Sequence, residues 1–165
     1  MVSSDSEFWD RVVILLAIDP GACTGFAAFR DGDLYAAGTS SPDEADGVWP
    51  LLACTDLVVI ENPRIYPRQK ADPNSILKLA RCVGRYEERF GRSGRTRVQL
   101  IEPHDWKGSI PKAIMTNRIE AALTTAERAL LPDLPKTKRH NMLDAIGLGK
   151  WSLKQPFAQQ PRRTT

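Results

Sequence analysis

Residues 12–18 read Val-Val-Ile-Leu-Leu-Ala-Ile without interruption, and the next position is an acid, Asp19. A saturated β-branched and aliphatic run offers no polar side to water, so it predicts a strand buried on both faces of a sheet. Pro20 and Gly21 end the strand at once, which holds the Asp19 carboxylate at the rim of the sheet rather than inside it. Gly21 and Gly25 then turn the chain into a second apolar stretch, 26–29. The same device recurs at 57–60, Leu-Val-Val-Ile, followed by Glu61, Asn62 and Pro63.

A third acid arrives differently. The stretch 140–147, His-Asn-Met-Leu-Asp-Ala-Ile-Gly, belongs to a predicted C-terminal helix on which His140, Asn141 and Asp144 share one face. Asp144 has apolar neighbours, among which an ionised carboxylate is costly unless something pairs with it. Carboxylates at two strand ends and on one helix can converge on a single point. Like charges at close range raise each other's pKa, and a divalent cation removes that cost. Oxygen donors of this kind suit Mg²⁺, with Mn²⁺ as a substitute, rather than zinc.

The predicted elements run in the order strand 12–19, strands 25–30 and 33–38 joined by an Asp31-Gly32 hairpin turn, and strand 57–61 after a poorly patterned stretch, 40–55, with room for a short helix. A polar loop, 62–73, leads into a helix over 74–90, whose apolar stripe is Ile76, Leu79, Ala80, Val83, Tyr86 and Phe90. A strand at 97–101, one helix over 112–131 and a last helix from 138 complete the chain. Antiparallel strands followed by strand–helix alternation predict an α/β fold, a mixed sheet flanked by helices. Sites in such sheets gather outside the carboxyl ends of the parallel strands, where Asp19 and Glu61 stand. The 165 residues suit a single domain, with 1–10 and 155–165 expected as flexible tails.

No apolar run approaches the length needed to cross a bilayer, so no membrane partner is expected. The first ten residues are acidic and Ser-rich and lack the basic start of a signal peptide. Cys23, Cys54 and Cys82 match no metal-ligand spacing and read as reduced thiols of a cytoplasmic protein. A net charge of +3 does not by itself indicate a nucleic-acid binder. Its distribution says more: residues 31–56 hold six acids and no Lys or Arg, whereas most bases follow Arg64. A polyanion would meet the second part of the chain.

The order strand-Asp, strand-Glu, then His-Asn-x-x-Asp-Ala on the last helix resembles the RuvC-type Holliday-junction resolvases of the RNase H-like superfamily. The resemblance continues in Lys70-Ala71-Asp72-Pro73-Asn74-Ser75 at the entry to the long helix, and in Pro103-His104-Asp105-Trp106-Lys107-Gly108 with Lys112. It implies an RNase H-like five-stranded mixed sheet and a Mg²⁺-dependent, structure-selective endonuclease that acts on branched DNA, four-way junctions above all. It also implies a homodimer, because resolving a junction takes two matched cuts. Asp19, Glu61 and Asp144 would be the catalytic metal ligands. Asn141 or His140 would join them, since the family places an acid or His three residues before the last Asp and this chain has Asn141 there. Arg64, Arg68 and Lys70 of the loop after Glu61 would meet phosphates, and Tyr66 would stack on a base at the junction. Lys107 and Lys112 flank a helix start and are further phosphate candidates, with Trp106 beside them as either a stacking or a core residue. Lys78, Arg81, Arg85 and Arg89 form a basic stripe, either a solvated face or a DNA contact. Two other readings stand beside this one: an RNase H-like nuclease for flaps, other branched DNA or RNA, and an actin-like ATP-binding module with its phosphate loop at Asp19-Pro20-Gly21.

Overall fold

The computed structural model describes residues 14–41, 55–65, 72–92 and 94–159. Its sheet has five strands: β1 (Ile14–Asp19), β2 (Thr24–Arg30), β3 (Asp33–Ser40), β4 (Leu57–Glu61) and β5 (Arg97–Ile101). Their order is β3-β2-β1-β4-β5. The first three strands pair antiparallel, whereas β4 lies parallel to both β1 and β5. The β2–β3 hairpin turns on Asp31 (φ 51) and Gly32 (φ 91), the left-handed pair that an Asp-Gly turn favours.

The strand period sorts the core into two layers. Leu15 and Ala17 of β1 join Leu57 and Val59 of β4 on one side, while Leu16, Ile18, Val58 and Ile60 fill the other. The second side is covered by α1 (Pro73–Gly91), which starts on the carboxylate of Asp72: it accepts from the backbone N–H groups of Asn74 and Ser75 at 3.2 and 3.1 Å. Only the C-terminal half of α1 reaches the sheet, burying Cys82, Val83, Tyr86 and Phe90. Ile76 and Leu79 of the expected stripe are half-buried, and Ala80 is exposed.

The first side is covered by α5 (Lys136–Ser152), which packs across β1, β2, β3 and β4. Two glycines, one in the helix and one in the sheet, mark close approaches. A Cβ at Gly149 would lie 2.1 Å from the ring of Phe29, and one at Gly25 of β2 would lie 1.9 Å from the carbonyl oxygen of Asn141. The helix therefore rests its backbone on the sheet.

Two expectations are corrected between β5 and α5. A short helix, α2 (Pro103–Lys107), follows β5 directly, with Pro103 at its first turn. The single helix expected over 112–131 is two, α3 (Lys112–Ala122) and α4 (Thr125–Leu130). Leu123 turns extended and buries its side chain, and Thr124 with Glu127 forms a capping box that begins the new helix. The last helix starts two residues earlier than expected, at Lys136, directly after Pro135. The reading of 155–165 as a tail does not hold for its first residues, because Pro156–Gln159 forms a 3-10 turn that buries Ala158 and sets Phe157 against Trp151. Among the described residues no helix is long and apolar enough to cross a membrane.

Candidate active site

Asp19 continues the side-chain alternation of Leu15 and Ala17, and Glu61 that of Leu57 and Val59, so both carboxylates point to the α5 side of the sheet. Ile18 pairs with Ile60 in the parallel ladder, which sets Asp19 and Glu61 abreast at the carboxyl ends of neighbouring strands. Asp144 comes down from α5, 4% exposed.

Electrostatics join the three. Burial holds the Asp19 carboxyl well above the usual carboxylate range, and the charges of Glu61 and Asp144 push it the same way. The ammonium groups of Lys107 and Lys112 pull it back without cancelling the rise. Both lysines stand inside the cluster. Lys107 Nζ donates to Glu61 Oε1 and Oε2 at 3.1 and 2.9 Å, and Lys112 Nζ lies 3.5 Å from Asp144 Oδ2. The indole N–H of Trp106 donates to Glu61 Oε2 at 2.7 Å. Trp106 is thus the core residue of the two readings, and its polar edge on Glu61 is what sequence reasoning missed. Pro103 and Gly108 were available as signals for the ends of this short helix, though not for its direction.

The loop that follows Asp19 is pinned from both layers. Thr24 is fully buried; its hydroxyl donates to the Gly21 carbonyl at 3.0 Å and accepts from the Tyr86 hydroxyl at 2.9 Å. From the other side, the Asn141 amide nitrogen donates to the Cys23 carbonyl at 2.9 Å. The structure therefore gives Asn141 a definite task, fixing the loop behind Asp19. His140 lies one position earlier, with its Nδ1 3.3 Å from the Lys136 carbonyl of its own helix.

The remaining candidates are distributed as follows. Arg64 pairs with Glu102, the residue after β5. Tyr66, Arg68 and Lys70 lie outside the described residues. Lys78, Arg81 and Arg85 line an open groove of about 490 Å³ with Gly21, Ser75 and Cys82, on the α1 side of the Asp19 loop.

Whether a divalent ion suits the cluster turns on its donors. The chemistry fits: three carboxylates, one of them pushed above the usual carboxylate range by burial and repulsion, need positive charge and offer hard oxygen ligands. As placed, however, Glu61 and Asp144 face ammonium groups. Among the described residues no group of three His, Cys, Asp or Glu side chains is gathered for one ion. Binding one would require these carboxylates and the lysines to part.

The sequence matches no protein-family model and no curated protein. Solved structures do match. The Fowlpox virus resolvase, crystallised with Holliday-junction DNA, is 20% identical, with 87% of this chain and 100% of that chain covered at a TM-score of 0.55. Thermus thermophilus RuvC in complex with a Holliday-junction substrate is 17% identical over 84% of this chain and 92% of that one, at a TM-score of 0.49. The yeast mitochondrial Holliday junction resolvase Ydc2 is 11% identical over 88% and 84%, at 0.48. With its mixed five-stranded sheet and covering helices, the chain shares the fold of the Fowlpox virus resolvase.

Proposed function

We propose that the chain is a junction-resolving nuclease: a structure-selective DNA endonuclease that hydrolyses phosphodiesters at four-way junctions with Mg²⁺, Mn²⁺ serving in its place. One observation carries the reading. Asp19 and Glu61 stand abreast at the ends of adjacent parallel strands, on the side from which α5 delivers Asp144, and the three are electrostatically joined. The likeness to the Fowlpox virus resolvase supports it.

Asp19, Glu61 and Asp144 would hold the ions, with Asn141 or His140 at the margin. When bound, divalent ions of this kind activate water and stabilise the leaving oxygen of a phosphodiester. The protein's own residues do the rest. Tyr86 and Asn141 hold the Asp19 loop from opposite layers, so the carboxylate is fixed at the rim before substrate arrives. Lys107 and Lys112 pair with two of the acids in the free protein, and a phosphate entering the site would meet their ammonium groups once those pairs part. Arg64, Arg68 and Lys70 are assigned to the backbone of the arms, and Tyr66 to stacking at the junction centre. Two matched cuts require two sites, hence a homodimer.

The test is a substrate panel: a synthetic four-way junction, a flap, an RNA–DNA hybrid and a linear duplex, each in Mg²⁺ and in chelator. Paired nicks in the junction, dependent on Mg²⁺, are expected. Preferred cleavage of the flap or hybrid would move the reading to another RNase H-like nuclease, and no cleavage of any substrate would overturn it.

A further inference from the structure

Trp106 meets Glu61 with a donor of a different kind from Lys107, and the difference assigns it a role that rests on the metal-dependent reading above. Its indole N–H reaches Glu61 Oε2 at 2.7 Å, while the residue is 9% exposed and belongs to the same buried cluster as Val59, Ile101 and Ile119. The ring's far edge lies against α5. A Cβ at Gly147 would stand 2.9 Å from Trp106 Cζ3 and 2.5 Å from Ile119 Cδ1, so only glycine admits the indole there. Gly147 follows Asp144 by three residues on the same helix. One rigid ring therefore spans the strand that carries Glu61 and the helix that carries Asp144.

Lys107 holds both oxygens of Glu61 by charge, on a flexible stem, and any entering cation competes with it directly. The indole is neutral. It occupies one lone pair of Oε2 and leaves the carboxylate its charge and its other oxygen. Groups that orient a metal ligand from behind commonly set affinity or activity by about 10–100-fold. We propose that Trp106 is the positioning residue that fixes Glu61 for a divalent cation, while Lys107 is the exchangeable partner that the cation displaces.

The decisive variant replaces Trp106 with benzothienylalanine, which keeps the bicyclic shape and lacks the N–H; Trp106→Phe is its genetic counterpart. Three quantities are measured: the indole N–H resonance of Trp106 in the free protein, calorimetric affinity for Mg²⁺ and Mn²⁺ alone, and the Mg²⁺ needed for half-maximal junction cleavage. The inference expects the Trp106 proton downfield of those of the other three tryptophans and shifted in Glu61→Gln. It further expects metal affinity about 10–100-fold weaker in the benzothienylalanine protein, with unchanged thermal unfolding and cleavage recovered at high Mg²⁺. Unaltered affinity and Mg²⁺ requirement, beside a wild type that binds metal and cuts junctions, would overturn the role of Trp106 alone. A wild type that neither binds Mg²⁺ nor cuts would overturn the nuclease reading, and this inference with it.

Discussion

The two helical layers of this sheet are built to different standards. On one side, α5 buries Met142, Leu143, Ala145, Ile146 and Leu148 and lets its backbone touch β2 where Gly25 leaves room. On the other, α1 buries four side chains in its C-terminal half and leaves Leu77 58% exposed. The closely packed layer is the one that carries Asp144, Asn141 and the seat for Trp106. A helix resting on the sheet by its backbone cannot slide, so Asp144 is delivered to Asp19 and Glu61 at a fixed depth. The looser layer contributes one hydroxyl, that of Tyr86, to the loop behind Asp19.

The largest break in this contrast is expected from Gly25→Ala. Its methyl group would meet the backbone of Asn141, which cannot swing aside, so stability should fall by more than about 3 kcal/mol in denaturant titration. A midpoint near wild type would show that α5 sits further from the sheet than described. Next comes Ile146→Ala, in the fully buried face of α5, with a loss of about 2–5 kcal/mol.

Asp19→Asn should act in the opposite direction. Because the carboxyl is held above its usual range, its charged form is disfavoured in the fold, and the stability linked to its protonation is lost as pH rises through its folded pKa. With a chelator present, the Asn variant should therefore melt higher than wild type at pH 8, by roughly 2–4 °C if about 1 kcal/mol is recovered. The gain should fade as the buffer is made acidic enough to protonate Asp19. A melting point below wild type at pH 8 would mean that the lysines already neutralise the cluster. The smallest effect belongs to Leu77→Ala on the loose half of α1, within about 0.5 kcal/mol; a larger loss would show that something covers this half in solution.

Much of this organisation was legible in the chain. Saturated runs ending in Asp19 and Glu61 marked two central strands, with both acids at the carboxyl ends where sites in such sheets gather. Asp31-Gly32 marked its turn. Other features depended on tertiary geometry. Lys107 and Lys112 looked like phosphate ligands at a helix start, yet the fold returns them to Glu61 and Asp144. Nothing in a linear reading gives the direction of so short a helix. Asn141 shared a helical face with Asp144, but its bond to the Cys23 carbonyl depends on how closely α5 approaches the β1–β2 loop. The break between α3 and α4 was written in Thr124 and Glu127, a capping box overlooked within an otherwise helical stretch. The stripe on α1 was legible as a pattern and its depth of burial was not, because periodicity reports a face and not what covers it.

The central claim is that Asp19, Glu61 and Asp144 form one hydrolytic centre for branched DNA. It is tested most directly by single-turnover cleavage of a synthetic four-way junction in Mg²⁺, wild type beside Asp19→Asn. The account predicts paired nicks by the wild type and a loss of several orders of magnitude in the variant, with junction binding retained. Cleavage by Asp19→Asn at close to the wild-type rate would contradict it.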